Sequence, residues 1–179
     1  MAQISLKSLM NNNAPTYDPQ LVKPFREELT AVGFKELLTP ADVDAALDKQ
    51  DEKVVLVVLN SVCGCAAGKA RPGVLVSMLN GVVPDEYVSV FAGMEKEAVD
   101  RFRTKYLEGI TPSSPNVALF KNGKLVHILQ RYQVEGKSAW DIADDLTTEY
   151  DKVCTRTNTA EERESIKDYI ENKYQVRID

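Results

Sequence analysis

The sequence predicts an α/β domain of three layers, in which helices cover both faces of a central mixed sheet. Residues 54–59 form an uninterrupted apolar run rich in β-branched residues, which is typical of a central strand buried on both faces. Segments with helical periodicity alternate with segments of strand character along residues 18–153. Between two short strand-like segments, Asn122-Gly123 indicates a tight hairpin.

Composition narrows the class of function. The chain has 179 residues and a net charge of −5, so it is long enough for one well-cored domain and has no basic excess for nucleic-acid binding. Its longest apolar run, residues 54–59, is far shorter than the ~20 residues of a membrane span. Residues 1–10 show no secretory signal pattern, so we expect a cytoplasmic protein with neither nucleic-acid nor membrane partners.

Two extra helices are predicted ahead of the central strand. The first begins after Asp18, an N-cap residue, and contains Pro24, which is predicted to shorten or kink it. The second begins after Thr39, with Asp42 in the position that completes a capping box.

The rest of the chain alternates between helix and strand. The predicted elements are a helix over 65–79, a strand over 86–91, a helix over 95–107, strands over 116–120 and 124–129, and a helix over 138–153. Pro72 is expected to kink the first of these helices. We therefore divide the chain into an N-terminal arm (1–17), one domain (18–154) and a charged tail (155–179) that contains one further helix.

Two of the three cysteines stand where the central strand meets the next helix. Free backbone N–H groups and the helix dipole stabilise an anion there, so Cys63 is predicted to be the nucleophile, with a thiol pKa below the usual ~8.5. Gly64 removes side-chain bulk, permits unusual dihedral angles and lets a partner disulfide approach. Cys65, one residue further on, is close enough to resolve a mixed disulfide on Cys63. A ring closed over one residue is strained, which suits oxidation, isomerisation or removal of a small thiol.

Other interpretations of these residues remain open. In one of them, Cys63 and Cys65 belong to a metal-binding module; in another, they are inert cysteines of an interaction scaffold. A structural zinc site needs four ligands, which are hard to assemble here, so we predict no metal. His127 is interpreted as a satisfied core or edge residue. Lys69 and Arg71 either add positive potential near the cysteines or belong to a solvated helix face, and we favour the second interpretation.

Several blocks of sequence resemble the bacilliredoxin family of thioredoxin-like proteins over residues 18–154. The matching residues are Asn60-Ser61-Val62-Cys63-Gly64-Cys65-Ala66-Ala67-Gly68, Ala70-Arg71-Pro72, Arg26-Glu27-Glu28-Leu29-Thr30, Gly33-Phe34, Val90-Phe91-Ala92-Gly93, Pro112-Ser113-Ser114-Pro115, Glu135-Gly136 and Cys154. The chain departs from the family at Tyr132-Gln133, where the family has a His-Glu pair.

The resemblance implies a thioredoxin-like fold and reversible disulfide exchange with bacillithiol, a low-molecular-weight thiol. Cys63 would take bacillithiol from an S-bacillithiolated client protein, and Cys65 would resolve the product. Pro115 would be a cis-proline facing Cys63, and Gly64, Ser114 and Pro115 would contact the substrate. Bacillithiol is the exchanging substrate, so no cofactor is expected.

The resemblance leaves two points open. A general protein disulfide isomerase or oxidant is the alternative enzyme, because family members have also been regarded as isomerases. Cys154, at the end of the last domain helix, is either a third redox residue or a small buried one.

Overall fold

The computed structural model describes residues 13–179, so most of the expected N-terminal arm lies outside the described residues. The strands are β1 Lys35–Glu36, β2 Val54–Asn60, β3 Val82–Val83, β4 Glu86–Phe91, β5 Asn116–Lys121, β6 Lys124–Leu129 and β7 Arg156–Thr157. Within residues 13–179, five of them form one sheet in the order β1-β4-β2-β5-β6, and β3 pairs with β7.

Helices cover the sheet. They are α1 Pro19–Thr30, α2 Pro40–Leu47, α3 Arg71–Ser77, α4 Lys96–Arg101, α5 Arg131–Glu135, α6 Ala139–Val153 and α7 Ala160–Tyr174. A π-helical turn, Ala66–Ala70, leads into α3, and another, Phe102–Tyr106, continues α4. No helix in the described part of the chain has the length and apolar character needed to cross a bilayer.

The apolar run becomes the centre of the sheet, as predicted. All seven residues of β2 are buried. This strand pairs in parallel with β4 on one side and antiparallel with β5 on the other, so the sheet is mixed.

Alternate side chains of β2 enter different halves of the core, because successive strand residues point to opposite faces. Val54, Leu56 and Val58 pack in one cluster with residues of α3 and α6, which include Val74, Leu75, Ile142 and Leu146. Val55, Val57 and Leu59 pack in a second cluster with residues of α2 and α4, which include Val43, Leu47, Ala98 and Val99. The predicted three-layer architecture is therefore confirmed.

Local start and turn signals in the sequence are also confirmed. Thr39 and Asp42 form the reciprocal hydrogen bonds of a capping box at the start of α2. In the hairpin between β5 and β6, Asn122 and Gly123 have φ angles of 51° and 72°, the left-handed conformation that both residues tolerate.

Pro24 and Pro72 both lie within helical segments. Pro24 lies inside α1, yet the helix continues to Thr30, because a proline this near the start removes only one hydrogen bond to the first turn. Ahead of Pro72, the backbone widens into the π-helical turn, in which the Arg71 N–H donates to the Ala66 carbonyl. Pro72 thus occupies the second position of α3, and the irregularity of the helix lies in the π-helical turn just before it.

The tail folds back onto the domain. Asn158 donates from Nδ2 to the Met78 carbonyl at 2.6 Å and to the Asn80 carbonyl at 3.0 Å, just beyond α3. Helix α7 then places Ile170, which is only 3% exposed, in the same core cluster as Leu29 of α1.

Candidate active site

Cys63 and Cys65 lie in the segment that connects β2 to the π-helical turn, here called the redox loop (residues 61–65). They are joined by a disulfide, with their Cα atoms 5.5 Å apart. Both cysteines are half-buried. The Sγ of Cys63 accepts a hydrogen bond from the Ala66 N–H at 3.3 Å, and its carbonyl accepts from the N–H groups of Ala66 and Ala67. Cys63 thus stands at a helix start, as the sequence predicted.

Gly64 is exposed at the tip of the redox loop. A Cβ built at this position would have no neighbouring heavy atom of the described residues within 4 Å. Its φ angle is outside the left-handed range, so the expectation that Gly64 serves an unusual backbone conformation is wrong. Apart from its two chain neighbours, Gly64 is therefore surrounded by open space.

The Ser114–Pro115 peptide bond is cis, as the resemblance implied. In the antiparallel pair of β2 and β5, Leu59 lies opposite Asn116. Pro115 therefore enters the sheet at the edge where β2 leaves it for the redox loop. The fold brings the Cys63 and Pro115 segments to one end of two neighbouring strands.

Helix α5 bridges the two segments. Arg131 donates from its backbone N–H to Ser113 Oγ and from Nη1 to the Ser114 carbonyl, both at 3.4 Å. At the other end of the helix, Lys69 Nζ donates to the Glu135 carbonyl. A cavity of about 440 Å³ beside the cis-proline segment is lined by Thr111, Ser113, Gln130, Arg131, Tyr132 and Glu135.

The departure from the family at Tyr132-Gln133 has a structural outcome. Tyr132 is 68% exposed and belongs to the lining of that cavity. Gln133 Oε1 accepts the Gln130 N–H at 2.9 Å, so the amide side chain completes the N-terminal cap of α5. A phenol thus faces solvent beside the cis-proline segment.

A buried arginine side chain contacts the start of the redox loop. Arg71 is only 1% exposed, so the interpretation of this residue as part of a solvated face is wrong. Its Nε donates to Glu28 Oε2 at 2.7 Å, and its Nη1 donates to Asn60 Oδ1 at 3.0 Å and to the Ser61 carbonyl at 3.1 Å. The guanidinium carbon also lies 5.0 Å from the centre of the Phe25 ring.

Further hydrogen bonds connect Asn60 and Ser61, the partners of Arg71, to Cys63. Asn60 donates from Nδ2 to the Phe25 carbonyl and accepts the Ser61 N–H through Oδ1. Ser61 Oγ then accepts the Cys63 N–H at 3.1 Å. Through the Ser61 carbonyl and Asn60, the buried Arg71 guanidinium therefore holds the start of the redox loop in place.

Sequence reasoning missed Glu28 and Asn60 as well as the burial of Arg71. A signal for Arg71 was present, since it lies four residues from Ala67 and four from Leu75, on one helical stripe of apolar residues. For Glu28 the sequence gave no such signal, because this residue belongs to a different helix from Arg71.

Cys154 lies at the opposite end of the fold from the redox loop. The start of α6 packs against α3, where a Cβ at Gly73 would come within 2.6 Å of Ile142 and 2.9 Å of the Ala139 carbonyl. Cys154 follows the last turn of this 15-residue helix, about 22 Å further along it. Burial raises the pKa of the Cys154 thiol to about 12. The structure does not bring Cys154 to the other two cysteines.

His127 lies on β6, the edge strand, opposite Leu119. The prediction of an edge histidine is confirmed, but Nε2 is buried and has no hydrogen-bond partner among the described residues, so the prediction of a satisfied ring is wrong. Within residues 13–179, no group of three or more His, Cys, Asp and Glu side chains is arranged to hold a metal ion.

Comparison with known proteins agrees with this geometry. Residues 17–154 match the protein family described as Disulphide isomerase. A bacilliredoxin of Salinibacter ruber is 48% identical over 139 residues, which cover 77% of this chain and 81% of the relative. A bacilliredoxin of Halalkalibacterium halodurans is 46% identical over 145 residues, which cover 81% of this chain and 99% of the relative. The chain belongs to the bacilliredoxin family.

As a member of the bacilliredoxin family, the chain is a thiol–disulfide oxidoreductase. Among solved structures it is similar to thioredoxin of Fasciola hepatica, with a TM-score of 0.45 and 18% identity over 65% of this chain and 99% of that one. The family match ends at residue 154, so β7 and α7 lie beyond it.

Proposed function

We propose that this protein removes bacillithiol from S-bacillithiolated proteins by thiol–disulfide exchange at Cys63-Gly64-Cys65. The observation that carries the proposal is the half-buried cysteine pair at a helix start, where Cys63 Sγ accepts the Ala66 N–H. The names of the curated relatives support the choice of thiol. We further propose that the reaction takes place in the cytoplasm, where cellular reductants restore the dithiol.

The reaction begins with the reduced protein. The Cys63 thiolate attacks the bacillithiol sulfur of the mixed disulfide, and the client cysteine leaves as a thiolate that takes up a proton. The Cys65 thiolate then attacks Cys63 Sγ, releasing bacillithiol and forming the Cys63–Cys65 disulfide. An external dithiol restores the two thiols in a two-electron reduction and is itself oxidised to a disulfide.

Each neighbouring group has a role in this sequence. The Ala66 N–H and the Arg71 charge lower the pKa of the Cys63 thiol, which makes Cys63 both a better nucleophile at neutral pH and a better leaving group. Gly64 leaves room for the client chain. Pro115 has no N–H, and the Ser114–Pro115 segment offers its flanking backbone to an extended client segment.

The test uses a purified S-bacillithiolated protein and follows its mass over time. Reduced protein is expected to remove the bacillithiol and Cys63→Ala is expected to remove none, whereas Cys65→Ala should accumulate a protein carrying bacillithiol on Cys63. Cys154→Ala is the matched control and should react like the unaltered protein. Removal by Cys63→Ala at the unaltered rate would exclude the mechanism.

Isomerisation of protein disulfides is the second candidate, and the description of the matching family favours it. The same Cys63 thiolate would attack a non-native protein disulfide and be displaced by another client thiol, with no net oxidation. Rates on a scrambled multi-disulfide protein and on a bacillithiol mixed disulfide, measured with one enzyme preparation, separate the two activities. A faster reaction with the scrambled protein would favour isomerisation.

A further inference from the structure

The C-terminal helix reaches the charged group beneath the redox loop. Tyr174, the last residue of α7, donates its hydroxyl to Glu28 Oε2 at 3.3 Å. The neighbouring Lys173 Nζ lies 3.7 Å from Glu28 Oε1. Glu28 is only 8% exposed, so both contacts are made to a nearly buried carboxylate. These contacts come from a segment that lies beyond the family match.

The same carboxylate oxygen serves both helices. Glu28 Oε2 accepts from Arg71 Nε as well as from the Tyr174 hydroxyl. Arg71 in turn holds the Ser61 carbonyl, and Ser61 Oγ accepts the Cys63 N–H. A continuous chain of hydrogen bonds therefore joins the end of α7 to the nucleophile.

The charges along this chain set the direction of its effect. The Glu28 carboxylate offsets the positive charge of Arg71, and a donor to that carboxylate reduces the offset. Burial, followed by the nearby Glu28 charge, raises the pKa of Tyr174, so its hydroxyl keeps its proton and remains a donor at neutral pH. With α7 in place, more of the Arg71 charge acts on Cys63.

We propose that Tyr174, assisted by Lys173, is a positioning residue for the redox site: through Glu28 and Arg71 it favours the Cys63 thiolate and the reduced dithiol. This inference rests on the proposed role of Cys63 as the nucleophile. It assigns the C-terminal helix a function in tuning the chemistry of the family domain.

The test compares full-length protein with its Tyr174→Phe variant. Each protein is equilibrated with mixtures of dithiothreitol and its cyclic disulfide. Reduction of the Cys63–Cys65 disulfide to two thiols oxidises one dithiothreitol. The fraction of protein in the dithiol form is measured by mass spectrometry after alkylation. Because a hydrogen bond to a charged group is lost and only part of its effect reaches Cys63, the equilibrium should shift about threefold towards the disulfide. Alkylation of Cys63 at neutral pH should slow by about the same factor.

Lys173→Met should give a smaller shift in the same direction, because the Lys173 side chain is 38% exposed and its ammonium lies 3.7 Å from Glu28 Oε1. Tyr169→Phe is the matched control, since it removes a hydroxyl from the same helix that makes no hydrogen bond to the described residues. Thermal unfolding of all variants reports any purely structural loss.

Equal equilibrium constants and alkylation rates in Tyr174→Phe, Tyr169→Phe and unaltered protein would overturn the inference. Failure of the proposed function has a different signature: Cys63 of the unaltered protein would then alkylate no faster than a free thiol.

Discussion

The three cysteines of the chain lie in two contrasting environments. Cys63 and Cys65 are half-buried at a helix start, where an amide N–H points at Cys63 Sγ. Cys154 is only 8% exposed and follows the end of α6. One environment supplies donors and a buried cation, and the other supplies an apolar core.

Charge as well as burial separates the two. Beneath the redox loop, Arg71 contributes a positive charge. Around Cys154, burial is the largest cause of the raised pKa; the Asp85 carboxylate adds to it, and the charges of Lys121 and Arg156 oppose it. The comparison teaches that position along a helix decides thiol chemistry only together with the solvation and charge of the surroundings.

The sharpest test of this comparison is the alkylation rate of each cysteine in the reduced protein at neutral pH. Iodoacetamide should modify Cys63 at least about a thousandfold faster than Cys154, because an accessible thiolate at the helix start reacts far faster than a buried, protonated thiol. Peptide mapping by mass spectrometry measures both rates in one sample. Comparable rates would remove the distinction between the two environments.

Removing the buried cation tests whether the redox loop depends on its support. Arg71→Leu should destabilise the protein by about 3–5 kcal/mol, because it leaves the nearly buried Glu28 carboxylate without its closest cation. Urea unfolding measures the loss. The control Lys69→Leu removes a half-exposed cation of the same segment and should change stability by less than about 0.5 kcal/mol. Similar losses in both variants would contradict a special role for Arg71.

The contact between α3 and α6 connects the two cysteine regions. Gly73→Ala should cost about 1–3 kcal/mol, since its Cβ would overlap Ile142 and the Ala139 carbonyl. Gly68→Ala, with open space around the new Cβ, should be neutral or stabilising by up to about 1 kcal/mol. Thermal unfolding of the two variants checks the difference, and an equal effect would show that α3 and α6 pack more loosely than described.

The smallest expected effect concerns pH. The folded-state pKa of Cys154 is raised to about 12, so the protonated thiol contributes stability below the ordinary thiol pKa, and this contribution is lost as pH rises from there towards 12. The midpoint of urea unfolding should therefore decrease less between about pH 8 and about pH 10.5 in Cys154→Ala than in unaltered protein. Tyr87, Tyr150 and Tyr174, whose pKa values are also raised by burial, contribute to the slope that remains. Identical slopes would place Cys154 in a more solvated site.

Local patterns predicted much of the scaffold. The apolar run of β2, the capping box at Thr39 and the Asn122-Gly123 turn each depend on residues within a few positions of one another, so the sequence displays the complete signal. The same holds for the helix start at Cys63. The widened turn before Pro72 was not predicted, because the choice between a kink and a π-helical turn depends on what packs against the helix.

By itself, the sequence determined the fold class, the cysteine pair at the helix start and, through resemblance, the cis-proline that stands opposite. Only the tertiary structure decided what lies beneath that pair. Arg71 and Glu28 are 43 positions apart, and Glu28 and Tyr174 are 146 apart, so no local pattern reveals their contacts. A buried charge must find a partner wherever the chain brings one, and that pairing is a property of the packed molecule.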